Sequence, residues 1–345
     1  MNTAALERWL SARLDAAVAI EGEDRPSSGF SAETVVIDAI VGDQPQRFVL
    51  RVETPDPAVY PQQAPGLDVE IEIQVRVMQA LAEHAPVPVA PVVGFEPDPA
   101  VLGAPFFVME FIEGEVPIEN PSYTLEGFFV DATADQRAQM LDDGLRVLAG
   151  VHALDWRAAG LDWLIAPGTT PGIAAQLDLW EDYARRELDG RTHPALDRAL
   201  SWLHTNLPRG SEPVLCWGDP RPGNIIWHDA RAACATDFEA VAIAPREHDL
   251  GWWLMFDRWS HETQGAPRLD GEPTRDEQRR AYEAHAGVAV EDPFPFEVFA
   301  GARYAAIVVR VMNRLVARGD MPPDQTIWLE NPVTTCLEQL LAELP

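Results

Sequence analysis

Two acidic residues and one amide residue in the second half of the chain have the types and the spacing that phosphoryl transfer requires. Asp219 and Asn224 lie five positions apart in C-W-G-D-P-R-P-G-N, and Asp237 follows Asn224 by thirteen positions in A-T-D-F-E. Phosphoryl transfer needs a carboxylate that orients and deprotonates a hydroxyl, together with an amide oxygen and a second carboxylate that hold Mg2+. These three residues supply that set.

The order of the surrounding segments strengthens this interpretation, because Asp-x4-Asn alone occurs by chance in many chains. An apolar strand precedes Asp219, and Asn224 opens a second apolar run that ends at Trp227. A polar turn and a third apolar run, 232–235, then lead to Asp237. A hairpin of this length folds Asp237 back beside Asn224. The alternative is that Asp219 caps a turn and that the other two are ordinary loop residues.

Composition limits the class of protein. The chain has 345 residues, of which 47% are hydrophobic, enough for one large two-lobed domain or two domains. It lacks an apolar run of the ~18 residues that a membrane span needs, and residues 1–20 predict an amphipathic helix rather than a signal peptide. Three cysteines without metal-ligand spacing suit a reducing cytoplasm.

Charge excludes further classes. The net charge of -29 argues against nucleic acid or an anionic membrane as a partner. All 26 basic residues are arginine, so a phosphate loop of the G-x4-G-K-[ST] type and a lysine Schiff base are both impossible. If the protein handles ATP, an arginine must contact the phosphates.

The elements that must position these residues fall into two parts. Residues 35–40 and 48–52 predict two strands, the second of which carries Arg51; residues 67–84 predict a helix, and residues 106–112 a buried strand that ends at a glycine turn. Helical patterns dominate the rest of the chain: 135–154, 174–188, 193–207, 249–259, 275–286, 296–317 and 332–344. The fold class is therefore α+β, with a small β-rich lobe before a larger helical one.

This order of parts, with its motifs, resembles the aminoglycoside phosphotransferase family, whose members share the protein-kinase-like fold. W-G-D-P-R-P-G-N resembles the family's catalytic loop, A-T-D-F-E its metal-binding segment and V-M-E-F-I-E-G its hinge. L-A-G-V-H-A-L-D-W is similar to a helix of the branch related to acyl-CoA-dehydrogenase-linked phosphotransferases. The resemblance implies a nucleotide-binding lobe over 1–110 and a catalytic and acceptor-binding lobe over 111–345.

Site roles also follow from the resemblance. It implies that Asp219 is the catalytic base and that Asn224 and Asp237 bind Mg2+. The implied nucleotide contacts are those of the strand arginine, the glycine turn and the hinge: Arg51 on the α- and β-phosphates, Gly29 and Ser31 near the phosphates, the backbone of Glu110 and Ile112 on the adenine edge, and Met109 behind it.

The sequence departs from the family pattern at several positions. Trp217 stands where the family has His, and Ala32 where a loop Asn is common. The helix position of the glutamate that pairs with the strand cation holds Gln74, which leaves Glu70 or Glu72 as the partner of Arg51. Among nearby residues, we expect Asp249 to support the catalytic loop through hydrogen bonds and Glu239 to face solvent.

The predicted activity is that of a cytoplasmic small-molecule kinase that uses ATP and Mg2+ to phosphorylate a hydroxyl acceptor. The alternative is a nucleotide-binding, pseudokinase-like regulatory protein without turnover. The acceptor stays open between aminoglycosides and metabolic hydroxyl compounds such as hydroxyacyl thioesters. The oligomeric state is open as well.

Overall fold

The first part of the chain is built on one antiparallel sheet. The computed structural model describes residues 2–25, 32–56, 58–63, 66, 70–119 and 121–344. The five strands follow the order β1-β2-β3-β5-β4. Their ranges are β1 (Val18–Asp24), β2 (Glu33–Val41), β3 (Gln44–Val52), β4 (Val92–Glu96) and β5 (Phe106–Glu110).

Helices cover both faces of this sheet. Phe106 and Val108 of β5 pack with helix α1 (Thr3–Leu14), whereas Phe107 belongs to the core that contains helix α2 (Glu70–His84). Successive side chains of a strand point to opposite faces, so a strand buried on both faces reads as a continuous apolar run. This explains the uninterrupted apolar segment that predicted β5.

The second part is mostly helical, as predicted. Its helices are α3 (Phe128–Asp131), α4 (Ala134–His152), α5 (Ile173–Leu188), α6 (Pro194–Asn206), α7 (Glu247–Arg258), α8 (Arg275–Ala286), α9 (Phe294–Arg318) and α10 (Pro332–Ala342). Two short antiparallel pairs lie among them: β6 (Pro213–Cys216) with β9 (Ala242–Pro245), and β7 (Ile225–His228) with β8 (Arg231–Ala235).

Two expectations about elements were wrong. The helix predicted over 1–20 ends at Leu14, because Asp15 adopts a left-handed conformation with φ 50°, and β1 begins at Val18 and pairs with β2. The strand predicted over 106–112 ends at Glu110, the residue at which we propose to divide the two lobes. Strand β9 was not predicted.

The connection between β3 and α2 contacts the helical part of the chain. Val59 is 5% exposed and packs in the same core as α5 and α9. The Tyr183 hydroxyl donates to the carbonyl of Val59, and Arg310 Nε donates to the carbonyl of Ala58 at 3.1 Å. The two parts are therefore in contact through this connection as well as through the chain that follows β5.

Candidate active site

Asp219 lies in the loop that follows β6, and both of its carboxylate oxygens accept hydrogen bonds. The residue is 4% exposed. Trp252 Nε1 donates to Oδ1 at 2.7 Å, Arg221 Nε donates to the same oxygen at 3.1 Å, and the Tyr60 hydroxyl donates to Oδ2 at 3.3 Å. A buried carboxylate fixed by three donors has the defined orientation that a general base needs.

Asp249 supports the loop that carries Asp219 through hydrogen bonds to its backbone, as predicted. Its Oδ2 accepts the backbone N–H of Trp217 at 2.5 Å, and its Oδ1 accepts that of Gly218 at 3.0 Å. Gly218 has φ 91°, and a Cβ atom there would lie 2.0 Å from the carbonyl oxygen of Ala240. The loop therefore requires glycine immediately before Asp219.

The Trp217 side chain connects the loop that carries Asp219 to the segment that carries Asp237. Its Nε1 donates to the carbonyl of Thr236 at 2.8 Å, and its ring stacks on Phe238 with centroids 5.4 Å apart. These contacts flank Asp237 on both sides. The tryptophan at this position thus acts as a structural support.

Arg303 is a further support that the sequence did not reveal. It is 1% exposed, its Nη2 donates to the carbonyl of Gly218 at 2.8 Å, and its guanidinium carbon lies 4.4 Å from the centroid of the Trp252 ring. Burial lowers the pKa of Arg303 to about 10. Nothing in the apolar stretch around it, F-A-G-A-R-Y-A-A-I, indicates this role.

Asn224 and Asp237 come together through the β7–β8 hairpin, as the spacing predicted. Asn224 Nδ2 donates to the backbone carbonyl of Asp219 at 2.9 Å, which fixes the side-chain amide against the loop. The backbone N–H and the hydroxyl of Thr236 donate to the carbonyl of Asn224 at 2.9 and 3.0 Å. Asp237 follows directly, in a left-handed conformation with φ 63°.

Asp237 lies in a strongly acidic environment. Its burial, followed by the carboxylates of Glu239 and Asp219, raises the pKa of Asp237 to about 8, although Arg51 and Arg221 act in the opposite direction. Clustered carboxylates with a neighbouring amide oxygen are the ligands that a hard dication such as Mg2+ prefers. The residues present therefore fit the metal that the sequence predicted.

Arg51 contacts a carboxylate other than the predicted ones. Its Nη2 donates to Oε1 of Glu239 at 3.0 Å, and its Nη1 donates to Thr34 at 3.1 Å. Gln74 Nε2 donates to the same Glu239 oxygen at 3.0 Å. The Glu239 side chain is 2% exposed, so the expectation that it faces solvent was wrong. The feature of the sequence that could have indicated its burial is its position two residues after Asp237.

The two predicted partners of Arg51 lie elsewhere. Glu70 begins α2 beside Glu53, and burial together with the charge of Glu53 raises the pKa of Glu70 to about 7. Glu72 pairs with Arg76 at 3.6 Å, one turn along the same helix. The predicted pairing of Arg51 with Glu70 or Glu72 was therefore wrong. The arginine pairs instead with Glu239, which belongs to the second part of the fold.

The predicted hinge follows β5. Met109 is half-buried at the end of that strand, and the N–H of Glu110 donates to the carbonyl of Pro91 at 2.9 Å. The N–H of Phe111 donates to the carbonyl of Arg47 at 3.1 Å. Within the described ranges the next N–H, that of Ile112, has no backbone or side-chain acceptor.

Gly29 and Ser31, predicted near the phosphates, lie outside the described residues.

A cavity of about 760 Å3 opens next to these groups. Two of its lining residues connect it to the site: Tyr60, which contacts Asp219, and Glu239, which contacts Arg51. One wall is apolar, formed by Trp163, Leu164, Leu179 and Val241. Its polar lining consists of amides, two arginines and four carboxylates: Gln62, Gln63, Arg186, Arg310, Glu70, Asp182, Glu187 and Glu239.

His152, Cys216 and Asp249 also form a buried cluster with metal-ligand atoms within 4.8 Å of one another. Hydrogen bonds account for all three: His152 lies between the Tyr282 hydroxyl at 2.6 Å and Asp249 at 3.1 Å, and the Cys216 thiol contacts the carbonyl of Ala244. Burial raises the pKa of Cys216 well above its usual value. This cluster is a structural network beneath the catalytic loop.

Comparison with known proteins gives a family and a fold. The sequence model of the phosphotransferase enzyme family matches residues 24–290. The Arabidopsis thaliana probable acyl-CoA dehydrogenase IBR3 is 28% identical over 236 residues, which cover 66% of this chain and 27% of that protein. The chain thus spans about a quarter of the length of this relative.

No helix among the described residues has the length and apolar character to cross a membrane.

Two solved structures share the fold along their whole length. A candidate aminoglycoside phosphotransferase from Ralstonia eutropha superposes with a TM-score of 0.73 at 24% identity, covering 99% of this chain and 98% of that one. The ADP-bound form of aminoglycoside phosphotransferase APH(2'')-Ib gives a TM-score of 0.56 at 13% identity, covering 98% and 97%. The protein-kinase-like fold predicted from the sequence is confirmed.

Proposed function

The chain belongs to the phosphotransferase enzyme family, and we propose that it transfers the γ-phosphoryl group of ATP to a hydroxyl of a small molecule. The observation that carries the proposal is the position of Asp219, buried and held by three donors beside a cavity of about 760 Å3. In this role Asp219 orients the acceptor hydroxyl and receives its proton.

The nucleotide is proposed to lie between the five-stranded sheet and the hinge. Support comes from the N–H of Ile112, which is available for the adenine edge, and from Arg51, whose Nη atoms lie on the inner side of β3 against Thr34 and Glu239. Arginine presents a planar fork that binds two phosphate oxygens. The ADP-bound relative is consistent with this use of the fold.

Asn224 and Asp237 are the residues that would hold Mg2+. The ion, when bound, neutralises charge on the β- and γ-phosphates. The chain itself brings the two side chains within one hairpin and raises the pKa of Asp237 to about 8, so a cation relieves the repulsion between Asp237, Glu239 and Asp219.

The cavity beside Tyr60 is proposed to bind the acceptor. Its apolar wall of Trp163, Leu164, Leu179 and Val241 favours an acceptor with an apolar part. The same cavity carries the carboxylates of Glu70, Asp182, Glu187 and Glu239, which would also accommodate a cationic acceptor. We place metabolic hydroxyl compounds, including hydroxyacyl thioesters, ahead of aminoglycosides because the chain is similar to part of a probable acyl-CoA dehydrogenase.

The second candidate is nucleotide binding without turnover. It is favoured by the contact of Arg51 with Glu239, since an arginine already held by a carboxylate is less available to a phosphate. A coupled assay of ADP release over a panel of hydroxyl acceptors separates the two functions. Acceptor-dependent release that Asp219→Asn abolishes supports the kinase; MgATP binding without turnover on any acceptor supports the second candidate.

The cellular setting is likewise a proposal. Cys216, Cys234 and Cys336 are buried and free, which suits a reducing cytoplasm. The net charge of -29 disfavours nucleic acid as a partner.

A further inference from the structure

The hydroxyl of Tyr60 occupies a position on Asp219 that an acceptor hydroxyl would need. It donates to Oδ2 of Asp219 at 3.3 Å. Trp252 donates to Oδ1, and Arg221 Nε donates to both oxygens, at 3.1 Å to Oδ1 and 3.3 Å to Oδ2. In the described part of the chain, Tyr60 is the one residue that brings a hydroxyl to this carboxylate. Phosphoryl transfer to a hydroxyl begins from an arrangement in which the nucleophile is hydrogen-bonded to its general base.

The backbone on either side of Tyr60 is anchored, so the contact does not depend on a freely moving segment. Arg310 Nε donates to the carbonyl of Ala58 at 3.1 Å, and the Tyr183 hydroxyl donates to the carbonyl of Val59. On the other side, Gln176 Nε2 donates to Gln63 Oε1 at 2.8 Å. The helical part of the chain thus fixes Tyr60 against the catalytic loop.

Tyr60 also faces the groups proposed to bind the phosphates. It lines the same cavity as Glu239, which holds Arg51 at 3.0 Å and follows Asp237 by two residues. Burial, followed by the charges of Asp219, Asp237 and Glu239, raises the pKa of Tyr60 well above its usual value. The phenol therefore stays protonated until a base removes its proton, and the base in contact with it is Asp219.

We propose that Tyr60 is an intramolecular phosphoryl acceptor, which the protein phosphorylates when no small-molecule acceptor occupies the cavity. This proposal rests on the proposed kinase function. Tyr60 Oη forms a bond to the γ-phosphorus of ATP, the bond from that phosphorus to the β,γ-bridging oxygen breaks, and ADP leaves. The phenol proton passes to Asp219.

The product would limit further turnover. A phosphotyrosine carries a charge of about -1.5 to -2 near neutral pH, and here it would lie against Asp219 and fill the acceptor position. Arg186 and Arg310 also line the cavity, where both pair with Glu187, at 3.6 and 3.3 Å. Acceptor present at saturating concentration would compete with Tyr60 for Asp219 and protect it.

The test is incubation of the purified protein with MgATP and no acceptor, followed by intact-mass measurement and peptide mapping. One phosphoryl group per chain is expected, located on Tyr60. Tyr60→Phe and Asp219→Asn should each abolish its incorporation. Tyr123→Phe is the matched control, because Tyr123 packs on Phe129 away from the cavity, and it should be labelled like the wild type.

The outcomes separate this proposal from the kinase function itself. A wild-type protein that turns over ATP with an acceptor but carries no phosphoryl group on Tyr60 after incubation without acceptor overturns the proposal and leaves the kinase function intact. Labelling that is undiminished in Tyr60→Phe overturns it equally. A protein that neither binds nor turns over MgATP removes the kinase function and this proposal together.

Discussion

Arg51 and Glu239 form an ion pair of 3.0 Å that joins strand β3 to the segment after β8, 188 residues further along the chain. Gln74 of α2 donates to the same Glu239 oxygen. The arginine is therefore held by a carboxylate from the catalytic part of the fold, and α2 contributes a neutral amide. Contact between the two parts orients the proposed phosphate-binding group.

Replacement of Arg51 tests this role directly. Arg51→Met should lower kcat/KM for ATP by about a hundredfold, on the order of 3 kcal/mol of transition-state stabilisation. Arg51→Lys should restore only part of it, because a point charge replaces a fork that binds two oxygens. Steady-state kinetics over a range of ATP concentrations measure both. Arg280→Met, on the exposed face of α8, is the control, and wild-type kinetics in Arg51→Met would refute the phosphate contact.

The local part of the site could be predicted from the sequence because it is short-range. Asp219, Asn224 and Asp237 belong to one loop and one hairpin, and their spacing fixes how the chain returns. Asp249 lies 31 residues after Gly218, in the same continuous stretch of motifs, so its hydrogen bond to the loop could also be predicted.

The residues that sequence reasoning missed reach the site over long distances in the chain. Tyr60 is 159 positions from Asp219, and Arg303 is 85 positions from Gly218. No local period or motif links such pairs, because tertiary packing alone brings them together. The partner of Arg51 was predicted wrongly for the same reason. The α2 position at which a glutamate was expected holds Gln74, and the carboxylate that contacts Arg51 is Glu239, which follows β8.

Removal of the Asp237 side chain tests the metal site. Asp237→Ala should abolish Mg2+-dependent nucleotide binding while the protein still unfolds cooperatively, because the residue lies in a loop outside the helices and strands. Isothermal calorimetry with ATP, in the presence and absence of Mg2+, measures the effect. Unchanged MgATP affinity would show that Asp237 is not a ligand.

The stability of the metal-free protein should depend on the protonation of Asp237. Its pKa is about 8 in the folded protein against an ordinary value of 3.8, so between these values the folded state holds a proton that the unfolded chain has lost. The free energy of unfolding therefore falls as pH rises through this interval. Asp237→Asn removes this contribution and should raise the Tm at about pH 8 by roughly 7 °C, with a gain of only about 4 °C near pH 6. Equal gains at both pH values in thermal melts with EDTA would contradict the assignment.

Arg303 should matter more for turnover than for stability. Its Nε and Nη1 atoms are buried and have no hydrogen-bond partner among the described residues, so Arg303→Met removes a poorly solvated charge and should change the free energy of unfolding by only about 1 kcal/mol. The carbonyl of Gly218 loses its donor, and kcat should fall roughly tenfold with little change in ATP affinity. Denaturant unfolding and steady-state kinetics on one preparation measure both quantities. A large loss of stability with unchanged kcat would reverse this assignment.

Two neighbouring tryptophans of α7 allow the orientation of Asp219 to be tested with a matched control. Trp252 and Trp253 are each 1% exposed, and each Nε1 donates one hydrogen bond of 2.7 Å, but Trp252 donates to Asp219 and Trp253 to Gln278. Replacement by Phe removes the same N–H and a similar volume at both positions, so each change should lower the free energy of unfolding by about 1–3 kcal/mol. Only Trp252→Phe releases the catalytic carboxylate, so it alone should lower kcat about tenfold at saturating ATP and acceptor. Parallel measurement of Tm and kcat for both variants decides the point: an equal loss of kcat in Trp253→Phe would mean that general loosening of α7, and not the contact with Asp219, sets the rate.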